Sequence, residues 1–215
     1  MIRYHKINGL YKRDERGKIL PEYSRPEFGY LEHQSWLWTE KVDGTNIRIG
    51  WNVEADSGCL DWGPVCIGGR TDRSQIPTPL LQALHDHVFE ARFERAFDEP
   101  DTPVVLFGEG YGPKIQKGGG RYRQDPGFVL FDVWVAGTFL QREDVADVAR
   151  KMGIDVVPVR CIGSIPLAER MVRDGPLPSE WGAFEAEGLV GTPLVPLFTR
   201  TGERVITKIK AKDYR

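Results

Sequence analysis

One stretch decides how the chain is interpreted: Trp38-Thr39-Glu40-Lys41-Val42-Asp43-Gly44-Thr45-Asn46-Ile47-Arg48-Ile49. Two β-prone runs flank its Asp-Gly pair, and this arrangement is typical of a tight turn between antiparallel strands. The pattern therefore predicts a hairpin with Lys41 at the end of its first strand, beside the turn, where a buried pocket can hold the amine rigidly. The alternative is an ordinary hairpin with a surface lysine, because short motifs have many false matches.

Length and composition set the outer limits. The 215 residues are enough for a substantial core, and 40% hydrophobic with 28% charged residues is usual for a globular protein. The formal net charge of −2 gives no global attraction to nucleic acid or anionic membranes, so a polyanion site must be a local basic patch. Three cysteines without C-x-x-C spacing indicate neither a disulfide framework nor a zinc site. The N-terminus lacks a signal-peptide core and no apolar stretch could span a bilayer, so we expect a cytoplasmic protein without membrane contact.

Periodicity predicts several elements. Apolar residues at helical spacing predict a helix over Pro79 to Phe97, with Val88 on its apolar side. Apolar runs at residues 104–107 and 128–135 predict strands. A last strand over residues 204–210 places Lys208 and Lys210 on the same face. No linker divides the chain, so we expect one domain over residues 1–215.

The segment Lys114–Arg123 is basic, glycine-rich and contains Tyr122. Most such loops are merely solvated. A mobile loop of this composition could also bind a phosphate backbone, with Tyr122 available to stack on a base.

These pieces make one reaction chemically coherent. A lysine nucleophile must be neutral to attack, and nearby cations disfavour its charged form. One unit charge about 4 Å away contributes roughly 4 kcal/mol at an effective dielectric constant near 20. Lys208, Lys210 and a divalent metal around Lys41 would therefore make it reactive and would neutralise a triphosphate. Glu187 supplies the oxygen ligands that Mg²⁺ prefers.

The same residues resemble the motifs of the covalent nucleotidyltransferases, which include RNA and DNA ligases and mRNA capping enzymes. Lys41-Val42-Asp43-Gly44-Thr45-Asn46 resembles their nucleophile motif. Five later stretches resemble, in order, the arginine motif, the ribose-contacting glutamate motif, the strand with the base-stacking aromatic, the metal-side glutamate motif and the paired-lysine motif: Gly69-Arg70-Thr71, Phe107-Gly108-Glu109, Phe131-Asp132, Glu187-Gly188-Leu189-Val190 and Lys208-Ile209-Lys210. One such motif is weak, but six in order are specific.

Two details are most similar to the nick-sealing, second-type RNA ligases of phages. They are the Gly-Thr-Asn ending of the first motif and Gly112-Pro113 followed by Ile115-Gln116-Lys117. The resemblance covers residues from about 36 to 212 and implies an α+β fold of antiparallel sheets with the nucleotide between them, the ATP-grasp-like adenylation domain of ligases. It implies an ATP-dependent RNA ligase that uses Mg²⁺ or Mn²⁺. Such an enzyme forms a lysyl–AMP, passes AMP to a 5′-phosphate and joins that end to a 3′-hydroxyl.

The resemblance also implies roles for single residues. Lys41 is the nucleophile, and Lys208 and Lys210 orient phosphates. The nucleotide-binding set is Glu40 at the adenine, Asn46, Arg70 at a phosphate or the RNA end, Glu109 at the ribose, Phe131 on the base plane, and Glu187, which also supports the metal. Phe128 borders the same strand as Phe131, and only one of the two can stack on adenine. For Phe128 the simpler explanation is core packing.

The chain departs from the family pattern beyond the paired lysines. It stops at Arg215, where second-type RNA ligases usually carry a C-terminal domain and DNA ligases an OB-fold. Gly191-Thr192-Pro193 also lacks the basic residue sometimes found there. We therefore expect the adenylation domain alone, acting on RNA rather than DNA ends, with a protein partner as one substitute for the missing domain. Two alternatives are a GTP-dependent capping-type guanylyltransferase and a non-catalytic nucleic-acid-binding module.

Overall fold

The computed structural model describes residues 1–55, 59–71, 73–87, 90–99 and 101–215. They form two compact units. Unit 1 comprises Met1–Tyr4 and Asp43–Val157, and unit 2 comprises His5–Val42 and Pro158–Arg215. Each unit combines helices with mainly antiparallel sheets, which confirms the predicted α+β class. The expectation of a single domain over residues 1–215 stays a prediction.

The strands in chain order are β1 (Asn8–Gly9), β2 (Tyr11–Arg13), β3 (Ile19–Tyr23), β4 (Trp36–Glu40), β5 (Thr45–Trp51), β6 (Leu60–Trp62), β7 (Val65–Gly69), β8 (Val104–Tyr111), β9 (Gly127–Val135), β10 (Thr138–Phe139), β11 (Asp155–Val156), β12 (Val159–Gly163), β13 (Pro178–Ser179), β14 (Gly182–Glu185), β15 (Gly188–Pro193) and β16 (Thr207–Lys210). The α-helices are α1 (Pro26–Tyr30), α2 (Thr78–His87), α3 (Glu90–Ala96), α4 (Arg142–Met152) and α5 (Ile165–Arg173).

Unit 1 is built on a sheet of order β10-β9-β8-β5-β7-β6, to which β11 adds in parallel beside β9. One face of this sheet forms the core: Ile47, Leu106 and Leu130 pack with Leu84 of α2 and Val145 of α4. Because successive side chains of a strand point to opposite faces, the neighbours of these core residues lie on the other face. That second face carries the candidate nucleotide-binding residues of unit 1.

Unit 2 is built on a sheet of order β1-β16-β15-β4-β12. Trp36 and Trp38 of β4 are fully buried and stack with ring centroids 5.8 Å apart. They pack with Leu189 of β15, Ile209 of β16 and Ile165 of α5. As in unit 1, the core takes one side chain in two along each strand, so the intervening residues, including the paired lysines of β16, point the other way.

The hairpin predicted at Asp43-Gly44 is wrong. β4 belongs to the sheet of unit 2 and β5 to the sheet of unit 1, so the two strands do not pair. Gly44 is not in a left-handed conformation either. It is required for a different reason: a Cβ at this position would lie 2.3 Å from the Gly110 carbonyl oxygen of β8. The Asp-Gly pair therefore marks a close backbone approach and not a hairpin turn.

The other predicted elements are found with adjusted bounds. The apolar runs at 104–107 and 128–135 are β8 and β9, and the lysine-bearing strand begins at Thr207. The helix predicted over 79–97 corresponds to α2 and α3, while Val88 and the residue after it lie outside the described residues. In the described ranges, no helix is long and apolar enough to cross a bilayer.

Candidate active site

The centre of the candidate site in unit 2 is a carboxylate held between two amines. The Lys41 ammonium forms an ion pair with Oε2 of Glu187, and the Lys210 Nζ lies 3.1 Å from Oε1 of the same carboxylate. All three side chains are largely buried, with exposed fractions of 20%, 23% and 20% for Lys41, Lys210 and Glu187. Three of the residues assigned from the sequence thus meet at one point.

Strand register explains why these side chains meet. The Lys41 backbone N–H donates to the Gly188 carbonyl oxygen over 2.9 Å, and Gly188 lies opposite Lys210 in the β15–β16 pair. Lys41, Gly188 and Lys210 therefore form a row across three adjacent strands, on the face away from the tryptophans. Neighbouring strands lie about 4.8 Å apart, so the backbones of Lys41 and Lys210 are roughly 10 Å apart. The position between them, at Gly188, is open.

Gly188 keeps that position open. Its φ of +148° lies in a region that side-chain-bearing residues rarely adopt, and a Cβ there would lie 1.9 Å from the Ile209 carbonyl oxygen. The absence of a side chain lets the carboxylate of the preceding residue, Glu187, occupy the space between the lysines.

The electrostatics of this cluster differ from the simple picture of cations around a lysine. One carboxylate faces two ammonium groups, so the trio carries one net positive charge. Both amines therefore share one carboxylate as their counter-charge. Lys208 lies two residues before Lys210 on the same strand face, opposite Val190.

Glu40, expected at the adenine, is fully buried inside unit 2. Its carboxylate accepts hydrogen bonds from Arg160 Nη1 at 2.7 Å, Ser179 Oγ at 2.6 Å and the backbone N–H of Glu180 at 2.9 Å. Its place at the adenine stays a prediction, since no ligand contact tests it. What the structure adds is that this carboxylate fixes β12 and the turn after β13 to the strand that ends beside Lys41. No sequence signal marks Arg160 or Ser179 for this task.

We expect Glu40→Gln to destabilise the protein by about 3 kcal/mol, because it leaves the largely buried Arg160 guanidinium without its main counter-charge. Arg160→Met should be similarly costly, since it leaves a buried carboxylate unpaired. The double variant should recover part of the loss. Urea unfolding of the four proteins measures the coupling, and strictly additive effects would contradict a buried ion pair.

The candidate residues of unit 1 lie on the second face of its sheet. Asn46 of β5 is directly opposite Glu109 of β8 in the strand register. The Oδ1 atom of Asn46 is buried and finds no hydrogen-bond donor among the described residues. Buried acceptors are seldom left unsatisfied, so this atom points to a donor supplied by a ligand. Arg70 is exposed directly after β7.

The two phenylalanines of β9 lie in different surroundings. Phe128 belongs to the core and packs so closely on Gly108 that a Cβ there would lie 2.3 Å from its ring. Phe131 falls at a register shift, where Phe107 pairs with Asp132 and Gly108 with Leu130. The ring centroids of Phe131 and Tyr4 lie 5.0 Å apart in an edge-on arrangement, and those of Phe107 and Tyr4 lie 4.9 Å apart with the rings tilted. Phe131 is therefore on the face away from the core, and the core-packing explanation fits Phe128.

The described residues hold no group of three or more His, Cys, Asp and Glu side chains that could bind a metal ion. Glu187 offers a single carboxylate. A single carboxylate fits Mg²⁺, which is commonly bound by one protein carboxylate together with water and substrate phosphates. It does not fit a metal held by the protein alone.

A family model of RNA ligases matches residues 34–210. No curated protein sequence matches the chain. Among solved structures, Naegleria gruberi RNA ligase with pyrophosphate is similar at 16% identity and a TM-score of 0.62, over 98% of this chain and 62% of that one.

Two variants of the Naegleria gruberi RNA ligase give comparable matches. A lysine-to-alanine variant with ATP and Mn has 16% identity and a TM-score of 0.62, and a lysine-to-methionine variant with AMP and Mn has 16% identity and a TM-score of 0.61. Each match covers 88% of this chain and 53% of the other chain. The chain thus spans between about half and three fifths of the length of these structures.

Proposed function

Because this chain belongs to the RNA ligase family, we propose that it is an ATP-dependent RNA ligase that works through a covalent lysyl–AMP. One observation carries the proposal: the Lys41 amine lies in a largely buried cluster with Glu187 and Lys210, as a nucleophile that receives an anionic substrate requires. A surface lysine of a binding module needs neither this burial nor two partners.

The reaction begins at the Lys41 amine. Its nitrogen attacks the α-phosphorus of ATP, an N–P bond forms, and the bond to the bridging oxygen breaks so that pyrophosphate leaves. The 5′-phosphate of the polynucleotide then displaces the lysine, and AMP is joined to that end through a new phosphoanhydride. Finally, the 3′-hydroxyl attacks the 5′-phosphorus, forming the phosphodiester and releasing AMP.

Residues of unit 2 are proposed to stabilise the negative charge of the phosphates in the first step. Lys210 and Lys208 present ammonium groups to the phosphates and stabilise the negative charge that develops at the α-phosphorus. Glu187 is the proposed ligand of Mg²⁺ or Mn²⁺, which supplies charge neutralisation and orientation of the phosphates when it is bound.

Residues of unit 1 are proposed to recognise the nucleoside and the RNA end. Glu109 binds the ribose hydroxyls, and Asn46 uses its unsatisfied buried oxygen as an acceptor for a ligand donor. Phe131 stacks on the base, supported by its position away from the core. Arg70 contacts a phosphate or the RNA end. Glu40, the last residue of β4, completes the proposed set at the adenine.

Mass spectrometry of the intact protein tests the proposal. After incubation with ATP and Mg²⁺ we expect an AMP-sized increase in mass, which is absent without the metal. An increase with GTP alone would instead identify a capping-type guanylyltransferase. No increase with either nucleotide would favour a non-catalytic nucleic-acid-binding module.

The substrate is the second part of the proposal. RNA ends with a 5′-phosphate and a 3′-hydroxyl are preferred to DNA ends, and the proposed location is the cytoplasm. Offering nicked and single-stranded RNA and DNA separates the choices. Joined product from DNA alone would overturn the RNA assignment and leave the lysyl–AMP chemistry intact.

A further inference from the structure

The loop of residues 112–123 between β8 and β9, here called the basic loop, carries three exposed cations that the chemistry above does not use. They are Lys114, Lys117 and Arg121. No described residue forms an ion pair with any of them, and the loop contains no acidic residue. Its fourth cation, Arg123, is paired with Asp125 at 3.0 Å. The three exposed cations are therefore available to an anion.

The basic loop is anchored to the backbone just after the nucleophile in sequence. The Asp43 N–H donates to the Tyr122 hydroxyl over 3.1 Å, and Gln116 Nε2 donates to the Gly44 carbonyl oxygen over 3.1 Å. Within the loop, Gly119 packs so tightly on Gly112 that a Cβ would lie 1.8 Å from its carbonyl oxygen. These contacts fix the loop, so its cations are presented from a fixed backbone.

The anchoring corrects one expectation from the sequence. Tyr122 is only 8% exposed, its hydroxyl is engaged by Asp43, and its ring packs edge-on against Tyr111 at 5.9 Å. It is therefore not available to stack on a base, which contradicts the expectation from the sequence. Lysine and arginine on a loop without an exposed aromatic side chain suit contacts to phosphates, which carry no sequence information.

We propose that the basic loop binds the sugar–phosphate backbone of the polynucleotide whose end is joined, through Lys114, Lys117 and Arg121. This inference rests on the proposed function, because it assigns the substrate-binding surface of that enzyme. The loop is hydrogen-bonded to Asp43 and Gly44, which follow Lys41 by two and three residues in the chain. Binding depends on phosphate charge and is independent of base sequence.

The test removes the three charges together. Lys114 has a φ of +64°, so Lys114→Gly keeps the backbone conformation, and it is combined with Lys117→Ala and Arg121→Ala. We expect lysyl–AMP formation without RNA to be unchanged. The affinity for 5′-phosphorylated RNA should fall by at least about tenfold. The negative slope of log affinity against log salt concentration should become shallower by about 2 to 3.

The matched control removes three exposed cations of unit 2 through Arg16→Ala, Lys18→Ala and Arg200→Ala, none of which forms an ion pair with a described residue. Its RNA affinity should stay within about twofold of wild type. If the loop variant binds RNA with an unchanged salt slope, or if the control loses as much affinity, the inference is overturned. If wild-type protein never forms lysyl–AMP, the proposed function fails, whatever the loop variant does.

Discussion

Lys41→Arg is expected to fold normally and to take up no AMP. The guanidinium remains a cation beside Glu187, so the ion pair of unit 2 is kept, but it stays protonated and cannot serve as a nucleophile. Removal of the reacting group lowers the rate of lysyl–AMP formation by at least about 10⁴-fold. Incubation with radiolabelled ATP and Mg²⁺ followed by denaturing electrophoresis measures the loss, and thermal unfolding confirms that the protein is folded.

The control for this prediction is Lys12→Arg, which changes an exposed lysine that pairs with Glu22 in the same unit. It should be labelled as wild type is. Label on the Lys41→Arg protein would place the nucleophile elsewhere and overturn the proposed chemistry, including the roles assigned to Glu187 and Lys210.

Gly188→Ala is expected to be strongly damaging, although it adds only a methyl group. The added Cβ meets the Ile209 backbone 1.9 Å away and is forced into a conformation with φ of +148°. Conformational strain of this kind costs about 1–3 kcal/mol by itself, and the collision with a strand backbone raises the total above about 3 kcal/mol. The β15–β16 pair must shift, which displaces Glu187 from the two lysines, so both stability and lysyl–AMP formation should fall.

Gly202→Ala separates the cost of conformational strain from the cost of the collision with a neighbouring backbone. Gly202 also has a positive φ, of +80°, but a Cβ there meets nothing within 4 Å. Its loss should be limited to about 1 kcal/mol of strain, with labelling unchanged. Urea unfolding together with the labelling assay measures both variants. Equal losses for the two glycines would show that the close approach at Gly188 has no special cost.

The sequence was sufficient for the features that depend on local patterns. An apolar run located β9, and alternation assigned the two faces of the lysine-bearing strand. The burial of Thr207 and Ile209 confirms which face Lys208 and Lys210 occupy. The motif order brought out Lys41, Glu187 and Lys210, which lie together. These predictions succeed because side-chain periodicity fixes the face of a strand, whatever its neighbours are.

Features that depend on residues far apart in the sequence could not be predicted from local patterns. The Asp43-Gly44 pair has the composition of a hairpin turn, yet its neighbouring strands join different sheets, because strand partners are chosen by packing and not by the turn alone. Arg160 and Ser179 bind Glu40 from positions 120 and 139 residues away, and Tyr122 binds the Asp43 backbone from 79 residues away. Contacts of this kind leave no local pattern in one sequence.

The division of unit 2 into two distant segments has a consequence for synthesis on the ribosome. Unit 1 is nearly continuous and has all its strands once Val157 has been made, whereas β4 still lacks its partners β12 and β15. Glu187 follows Lys41 by 146 residues. The Lys41 amine therefore leaves the ribosome long before the Glu187 carboxylate with which it pairs, so the cluster of Lys41, Glu187 and Lys210 cannot form until Lys210 has been made.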